Sequence, residues 1–187
     1  MSSRKLDSPS DLYFAVGDAI VALGLGLNVG NYNEFAGEVL GDGTILIEIE
    51  STKRVPRSAE GRIGRRVRVT LHAVVGGWRE NSNLEACNLA SILADLADDS
   101  RWGLPGRQCG LPEDITTSPS MYSEGHKGYE AWCVSFWQTI YLGPSLIEED
   151  PAVTGMPLYA MRWQVPSIDD PANYRPLAEL VAAPGGG

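Results

Sequence analysis

The sequence predicts an α+β two-layer sandwich: a mainly antiparallel sheet with two helices on one face, followed by an extended C-terminal arm. Three observations carry this. Apolar residues recur at three- and four-residue steps in two stretches, Leu12–Leu27 and Leu89–Leu96, as helices require. Three others, Thr44–Ser51, Arg65–Val75 and Ala131–Leu142, alternate with the period of two that a pleated strand requires. The elements run helix, strands, helix, strands, and two helices can cover only one face of a sheet.

The first helix is opened by Ser8-Pro9-Ser10-Asp11, with Ser8 as N-cap, Pro9 in the first turn and Asp11 at capping-box spacing. Leu12, Tyr13, Val16, Ile20, Leu23 and Leu27 form its expected stripe, and Gly24 and Gly26 its end. The segment Gly24–Gly30 superficially suggests a dinucleotide loop. Its third glycine falls one place late and a helix rather than a strand precedes it, so a plain loop is the better account. Asn28–Leu40 is ambiguous between a short strand and a loop. Thr44–Ser51 and Arg65–Val75 are expected to pair through the connection Thr52–Gly64. Val67, Val69, Leu71, Ala73 and Val75 would point inward, and Arg66, Arg68, Thr70 and His72 outward. Ser82-Asn83-Leu84-Glu85 has the spacing of a second capping box and starts a helix to about residue 98, with Leu89, Ile92, Leu93 and Leu96 as its buried stripe. Arg101–Gly106 is a loop anchored by Trp102, and Ile115–Tyr122 a short strand.

The longest strand is Ala131–Leu142, within the breaker-free run Tyr129–Gly143. Its even positions, Trp132 to Leu142, are apolar except for Gln138, so they face the core. Its odd positions, Ala131, Cys133, Ser135, Trp137, Thr139 and Tyr141, are semi-apolar. At about 3.4 Å per residue the strand spans roughly 40 Å, about twice the usual length. A strand so long, with two half-apolar faces, points to cover from a partner. Beyond Leu142 seven of the twelve prolines fall between Pro144 and Pro184, with acidic runs at Glu148–Asp150 and Asp169-Asp170. Residues 1–143 are therefore expected to form the folded domain and 144–187 the arm. Leu158–Val165 is one further candidate strand, and the terminal Ala-Ala-Pro-Gly-Gly-Gly is expected to be disordered.

Chemistry is sparse. Cys87, Cys109 and Cys133 form no Cys-x-x-Cys pair, which argues against a disulfide framework or structural zinc; Cys87 and Cys133 suit small buried positions. His72 and His126 lie near no nucleophile signature and have no zinc spacing, so satisfied surface histidines account for both. Glu48 and Glu50 are better explained by cross-strand pairing with Arg66 and Arg68 than as an acid/base pair. No catalytic residue, cofactor or metal is expected, and the reading is of a protein that is not an enzyme. No run of twenty apolar residues supports a membrane span, and the first residues lack a secretory segment, so a cytoplasmic protein is expected. The charge pattern is more informative. Lys53, Arg54, Arg57, Arg62, Arg65, Arg66 and Arg68 place seven of the fifteen basic residues within sixteen positions, opposed only by Glu60. This window carries +6 and, since the whole chain carries −9, the remainder carries −15. A solvated hairpin loop is the simple account. The functional one is a basic projection that meets an acidic surface, or the phosphates of nucleic acid without sequence choice.

In order, then, come an amphipathic helix, a hairpin (Thr44–Ser51 and Arg65–Val75) with a charged loop, an Asn/Leu/Ala-rich helix (Asn83–Asp98), and the strand Ala131-Trp-Cys-Val-Ser-Phe-Trp-Gln-Thr-Ile-Tyr-Leu-Gly143. This arrangement, over about residues 10–143, resembles the tail terminator (tail completion) proteins of long-tailed bacteriophages. The arm after Pro144 lies outside that family's common core. The resemblance implies a virion protein at the head–tail junction, assembled in the host cytoplasm. Its α+β domains form a hexameric ring that stops tube growth and docks the head or neck, with DNA passing through the lumen. It implies tail tube protein, neck or connector protein and possibly sheath as partners. Trp137, Thr139 and Tyr141 would lie at the subunit interface. Lys53, Arg54, Arg57, Arg62 and Arg65 would face the lumen or an adjoining ring, and the arm would lie across a neighbour or the sheath. The alternatives are another neck, head–tail joining or baseplate component, and a small monomeric enzyme or ligand-binding domain.

Overall fold

The computed structural model describes residues 5–37, 39, 41–123, 128–147, 158–160 and 174–176. The chain forms two compact units, residues 1–147 and 148–187. The first is α+β, as the sequence predicts: a five-stranded, mostly antiparallel open sheet with two helices packed on it.

Helix α1 (Pro9–Ala22) starts where its cap predicts. The Asp11 carboxylate accepts the Ser8 backbone N–H at 2.8 Å and the Asp7 N–H at 3.0 Å. Leu12, Ala15, Val16 and Ile20 are buried, but Leu23, expected in the stripe, is exposed because the helix has ended before it. The ambiguous segment forms strand β1 (Asn28–Asn31) and a 3₁₀ turn (Tyr32–Glu34). Strands β2 (Thr44–Val55) and β3 (Ile63–Gly76) both exceed their expected bounds, which shortens the connection to Pro56–Arg62. At its neck a side chain on Gly64 would meet the Pro56 carbonyl at 2.2 Å, so the close approach of the two strands requires glycine there.

Helix α2 (Ser82–Ala97) departs from its predicted cap and, in part, from its predicted face. Asn81, at φ 61°, is the N-cap residue. Glu85 is not in a capping box; it accepts from Arg79 at 2.6 Å, and Arg79 also reaches Asp42 at 2.9 Å. The fully buried positions are Ala86, Ala90, Leu93 and Ala97; Leu89 and Leu96 pack partly buried against the core as expected, whereas Ile92 is exposed. Alanine fits where a helix backbone packs against a sheet without room for a larger side chain.

Strand β4 (Cys109–Ser123) is nearly twice its predicted length. Pro112 disguises its first half in the sequence, but an edge strand with register shifts tolerates both Pro112 and Pro119. Strand β5 (Tyr129–Leu142) lies between β3 and β4 in the order β1-β2-β3-β5-β4. It pairs with β3 residue for residue from Ile63↔Leu142 to Gly76↔Tyr129 without a bulge. Its unusual length is therefore matched inside the chain by β3 and β4. Strand β1 runs parallel to β2 and every other pair in this sheet is antiparallel. In the second unit, β6 (Leu158–Ala160) pairs with β7 (Tyr174–Pro176), within the run read as a strand from Leu158 to Val165. The terminal Gly-rich segment and His126 lie outside the described residues.

The core lies between the helices and Ile45, Ile47, Val67, Val69, Leu71, Ala73, Val134, Phe136 and Ile140. Gln138, the one polar residue on that face of β5, is fully buried and fully employed. Its Oε1 accepts the Trp102 Nε1–H at 2.7 Å, and its Nε2 donates to the carbonyls of Gly110 at 2.9 Å and Ser100 at 3.2 Å. Trp102 stacks on Phe136 at 5.8 Å, which holds the loop residue at φ 55° despite its cost to a non-glycine. Gln138→Leu leaves the indole N–H and the Gly110 carbonyl without partners. We expect it to lower stability by about 1–3 kcal/mol although the side chain becomes more apolar. A denaturant midpoint equal to or above wild type would remove the network from this account.

Candidate interaction surface

Strand alternation sends the odd residues of β5 to the face away from the helices, and this face has three zones. At one end the chain covers itself. Tyr32, Phe35 and Val39 lie across it and pack with Leu46, Val74, Ala131 and Tyr129. Phe35 meets Tyr129 edge to face at 5.3 Å.

The middle zone is polar. His72, expected to point into solvent, is buried beneath Tyr32, with rings stacked at 4.6 Å. Its Nε2 lies 3.1 Å from the Glu48 carboxylate and its Nδ1 2.7 Å from Ser120 Oγ. The carboxylate accepts only, so Nε2 carries the proton and Nδ1 accepts from the serine. Thr70, also expected outside, is buried; its hydroxyl meets Ser135 Oγ at 2.6 Å and donates to Glu50. Glu48 therefore pairs with His72, and Glu50 with Arg68 at 2.9 Å. Arg66 reaches across to Glu113 at 2.8 Å and Asp114 at 3.2 Å on β4 instead of to β2.

The far zone centres on Trp137, which is half-buried. Three cations surround its indole: Lys53 Nζ at 4.7 Å from the ring centroid, and the guanidiniums of Arg66 at 5.2 Å and Arg68 at 5.8 Å. The register explains the cluster, since Arg68 lies opposite Trp137, Arg66 opposite Thr139 and Lys53 opposite Arg66. Thr139 and Tyr141 continue the same face and are half-buried. The three residues singled out on β5 thus share one surface, and Arg66 and Arg68, read only as ion-pair partners, belong to it. The visible signal is that both arginines fall on the odd-numbered β5 face once the two strands are aligned.

The basic window is not a single projecting loop. Lys53 and Arg54 lie on β2 and Arg65 on β3, with Arg54 opposite Arg65 on the face that bears the helices. Arg57 is exposed in the connection and donates to the Gly61 carbonyl at 2.6 Å. Arg62 is turned inward: it pairs with Glu60 at 2.9 Å and donates to the Gly143 carbonyl, which ties the connection to the end of β5. Lys53, Arg54, Arg57 and Arg65 have no carboxylate partner among the described residues, so this end of the sheet keeps an unneutralised positive charge.

Burial pushes the Cys109 thiol up to about 12, a direction that suppresses the thiolate. Cys133 is buried and Cys87 half-buried. Among the described residues no group of three or more His, Cys, Asp or Glu side chains is placed to hold a metal, and no helix is long and apolar enough to cross a membrane.

Burial lowers the pKa of His72, and the opposing pull of Glu48 does not cancel it. The unfolded chain therefore takes up this proton first, so the contribution of neutral His72 is complete above about pH 6.5 and declines as pH falls through the lowered folded value. Urea unfolding of wild type and His72→Gln between pH 7.5 and 5 should show a shallower acid-side loss in the variant. Parallel curves would show that His72 does not carry it. No protein-family model matches the chain, and no curated protein shows significant sequence similarity to it.

Proposed function

We propose that this chain is a structural virion protein, the subunit of a ring that caps the head-proximal end of a phage tail tube, stops its polymerisation and docks the head or neck. The reading starts from the resemblance over residues 10–143. One structural observation supports it most: beyond the stretch covered by Tyr32, Phe35 and Val39, the sheet presents Trp137, Thr139 and Tyr141 half-buried, with Lys53, unpaired among the described residues, and the ion-paired Arg66 and Arg68 around the indole. A tryptophan at the centre of a partly desolvated patch is the side chain most often found to anchor an interface.

Charge sets the type of assembly that suits this face. Lys53, Arg54, Arg57 and Arg65, without a carboxylate partner among the described residues, belong to a chain that carries −15 outside the basic window, so the natural counterpart of this basic end is a different part of a second copy. Contact between unlike surfaces is heterologous, and heterologous contacts close into rings when the rotation per subunit allows. In the ring, the unneutralised Arg54, Arg57 and Arg65 face the lumen, where DNA phosphates pass, or an adjoining ring. Tail tube protein and the neck are the axial partners, with sheath a further candidate.

Mass photometry and negative-stain imaging with tail tubes test this directly. A closed oligomer that seats at the head-proximal tube end is the expected result. A species monomeric at every accessible concentration and inert toward tubes would overturn it. Trp137→Ala should abolish or weaken assembly with little change in unfolding free energy, whereas Leu93→Ala should cost about 2–5 kcal/mol of stability. Equal destabilisation of the subunit by both would return Trp137 to a packing role. Replacing Lys53, Arg54 and Arg57 together by glutamine should preserve the fold and reduce yield of joined particles. Arg62 is left out because it braces Gly143, and undiminished yield would detach the basic end from function.

A further inference from the structure

The β1 edge of the sheet is built to receive another strand. Asn28 donates its backbone N–H to the Gly43 carbonyl, and with Asn28↔Thr44 and Gly30↔Leu46 in parallel register, the backbone groups of Asn28 and Gly30 serve β2. Alternation turns those of Val29 and Asn31 outward, and among the described residues β1 has no neighbouring strand on that side. A groove flanks this edge on each face of the sheet. On the helix side Val21, Leu25, Leu27 and Val29 line about 290 Å³, with Val21 and Leu25 exposed. On the other side Val29, Phe35, Ala36 and Leu46 line about 360 Å³ together with the polar Asn31 and Glu34. An open ladder with an apolar groove above and below is how a sheet edge binds an extended segment: main-chain bonds supply affinity, and alternate side chains enter the two grooves.

We propose that β1 accepts an extended strand, and that its occupant is the Leu158–Val165 run of a second copy. Forty residues follow the first compact unit, and within them Leu158-Tyr-Ala-Met-Arg-Trp-Gln-Val165 is a run with strand alternation, placing Tyr159, Met161, Trp163 and Val165 on one side and Leu158, Ala160, Arg162 and Gln164 on the other. Its first three residues already form β6, whose described partner is the three-residue β7. A two-stranded ribbon that small is marginal by itself and gains from a third strand. No lysine or arginine lines either groove and Glu34 lines the second, so the site disfavours an acidic segment and accepts an apolar one that carries a single arginine, as Leu158–Val165 does. The exchange rests on the self-association proposed above but not on any role in a phage tail.

Complementation in the full-length chain tests it. Val29→Pro removes an outward N–H while sparing the bonds to β2, and Leu25→Asp puts a charge in the helix-side groove without touching the strand. Either disables the acceptor. Met161→Asp/Trp163→Asp disables the donor. Each variant, once shown by circular dichroism to be folded, should associate at least about tenfold more weakly than wild type, equivalent to about 1.4 kcal/mol. Mixing an acceptor variant with the donor variant should restore a dimer held through the one intact site. Wild-type association by all three variants would overturn the proposal and leave the ring standing. Loss of association without rescue on mixing would overturn exchange between copies. A synthetic peptide of residues 156–167, added to the isotopically labelled donor variant, separates this site from the ring. It should shift the Val29 and Asn31 amides even if rings never form, and no shift would overturn strand addition.

Discussion

The pairing of β3 with β5 governs the rest of the molecule. Fourteen residues on each strand pair without a register shift, so neither changes face along its length. Every second residue of β5 from Trp132 to Ile140 goes to the helices, and every other one goes to the opposite surface. The irregularity the sheet needs is moved outward, to the bulge in β2 between Ile49 and Ser51 and to three shifts in β4. One consequence is that the core face must accommodate Gln138, which cannot be turned away from it. The Trp102 loop, with its positive φ, supplies the partners that make this tolerable. A second consequence is that Trp137 must lie beside Arg66 and Arg68, since no slip is available to separate them.

Much of this was legible in the residues. Period-two alternation located β2, β3 and β5, three- to four-residue periodicity located both helices, and their order predicted the layering. What eluded the reading has physical causes. Hydrophobicity ranked Ile92 above Ala86 and Ala97 as core, but a helix lying close to a sheet selects side chains by size. The stretch Thr52–Gly64 shows no sustained alternation, yet an adjoining ladder supplies hydrogen bonds whatever the local propensity, so the strands take up six of its thirteen residues. The strand expected at Ile115–Tyr122 is the second half of β4, and Pro112 hid the first half. His72 and Thr70 were placed outside because alternation shows which residues share a face, not whether another segment folds over it. Tyr32, Phe35 and Val39, from a stretch with no clear periodicity, form that cover.

The candidate surface was legible in its parts and not in their arrangement. Trp137, Thr139 and Tyr141 were recognisable as an unexplained apolar row, and the seven basic residues as an unexplained charge. That three of the cations surround the tryptophan follows from cross-strand register, which no local pattern encodes. The same register divides the basic window into unlike parts. Lys53, Arg66 and Arg68 are fixed on strands around an aromatic ring, Arg54 and Arg65 occupy the other face, and Arg62 is a brace between the β2–β3 connection and the end of β5. Fixed cations lose less conformational freedom on meeting a partner than cations in a mobile loop, so they suit a specific contact better than a diffuse field.

The two edges of the sheet differ in a way that bears on assembly. β4 carries Pro112 and Pro119, three register shifts, the carboxylates of Glu113 and Asp114, and exposed Thr116–Ser120. These are the features with which sheet proteins prevent unwanted edge pairing. β1 has no proline, no charge and no bulge among its four residues, and only its brevity limits what can add to it. A protein that obstructs one edge so thoroughly and leaves apolar grooves beside the other has not merely failed to protect itself. If both edges were open, copies could add sheet to sheet in the same manner without end. With one edge closed, self-pairing of edge strands stops at a two-fold dimer joined through β1, and association that goes further must combine the β1 edge with a different element of the next copy. Such an asymmetric pairing is of the same heterologous kind as the one suggested by the basic residues at the Trp137 end of the sheet that lack a carboxylate partner among the described residues.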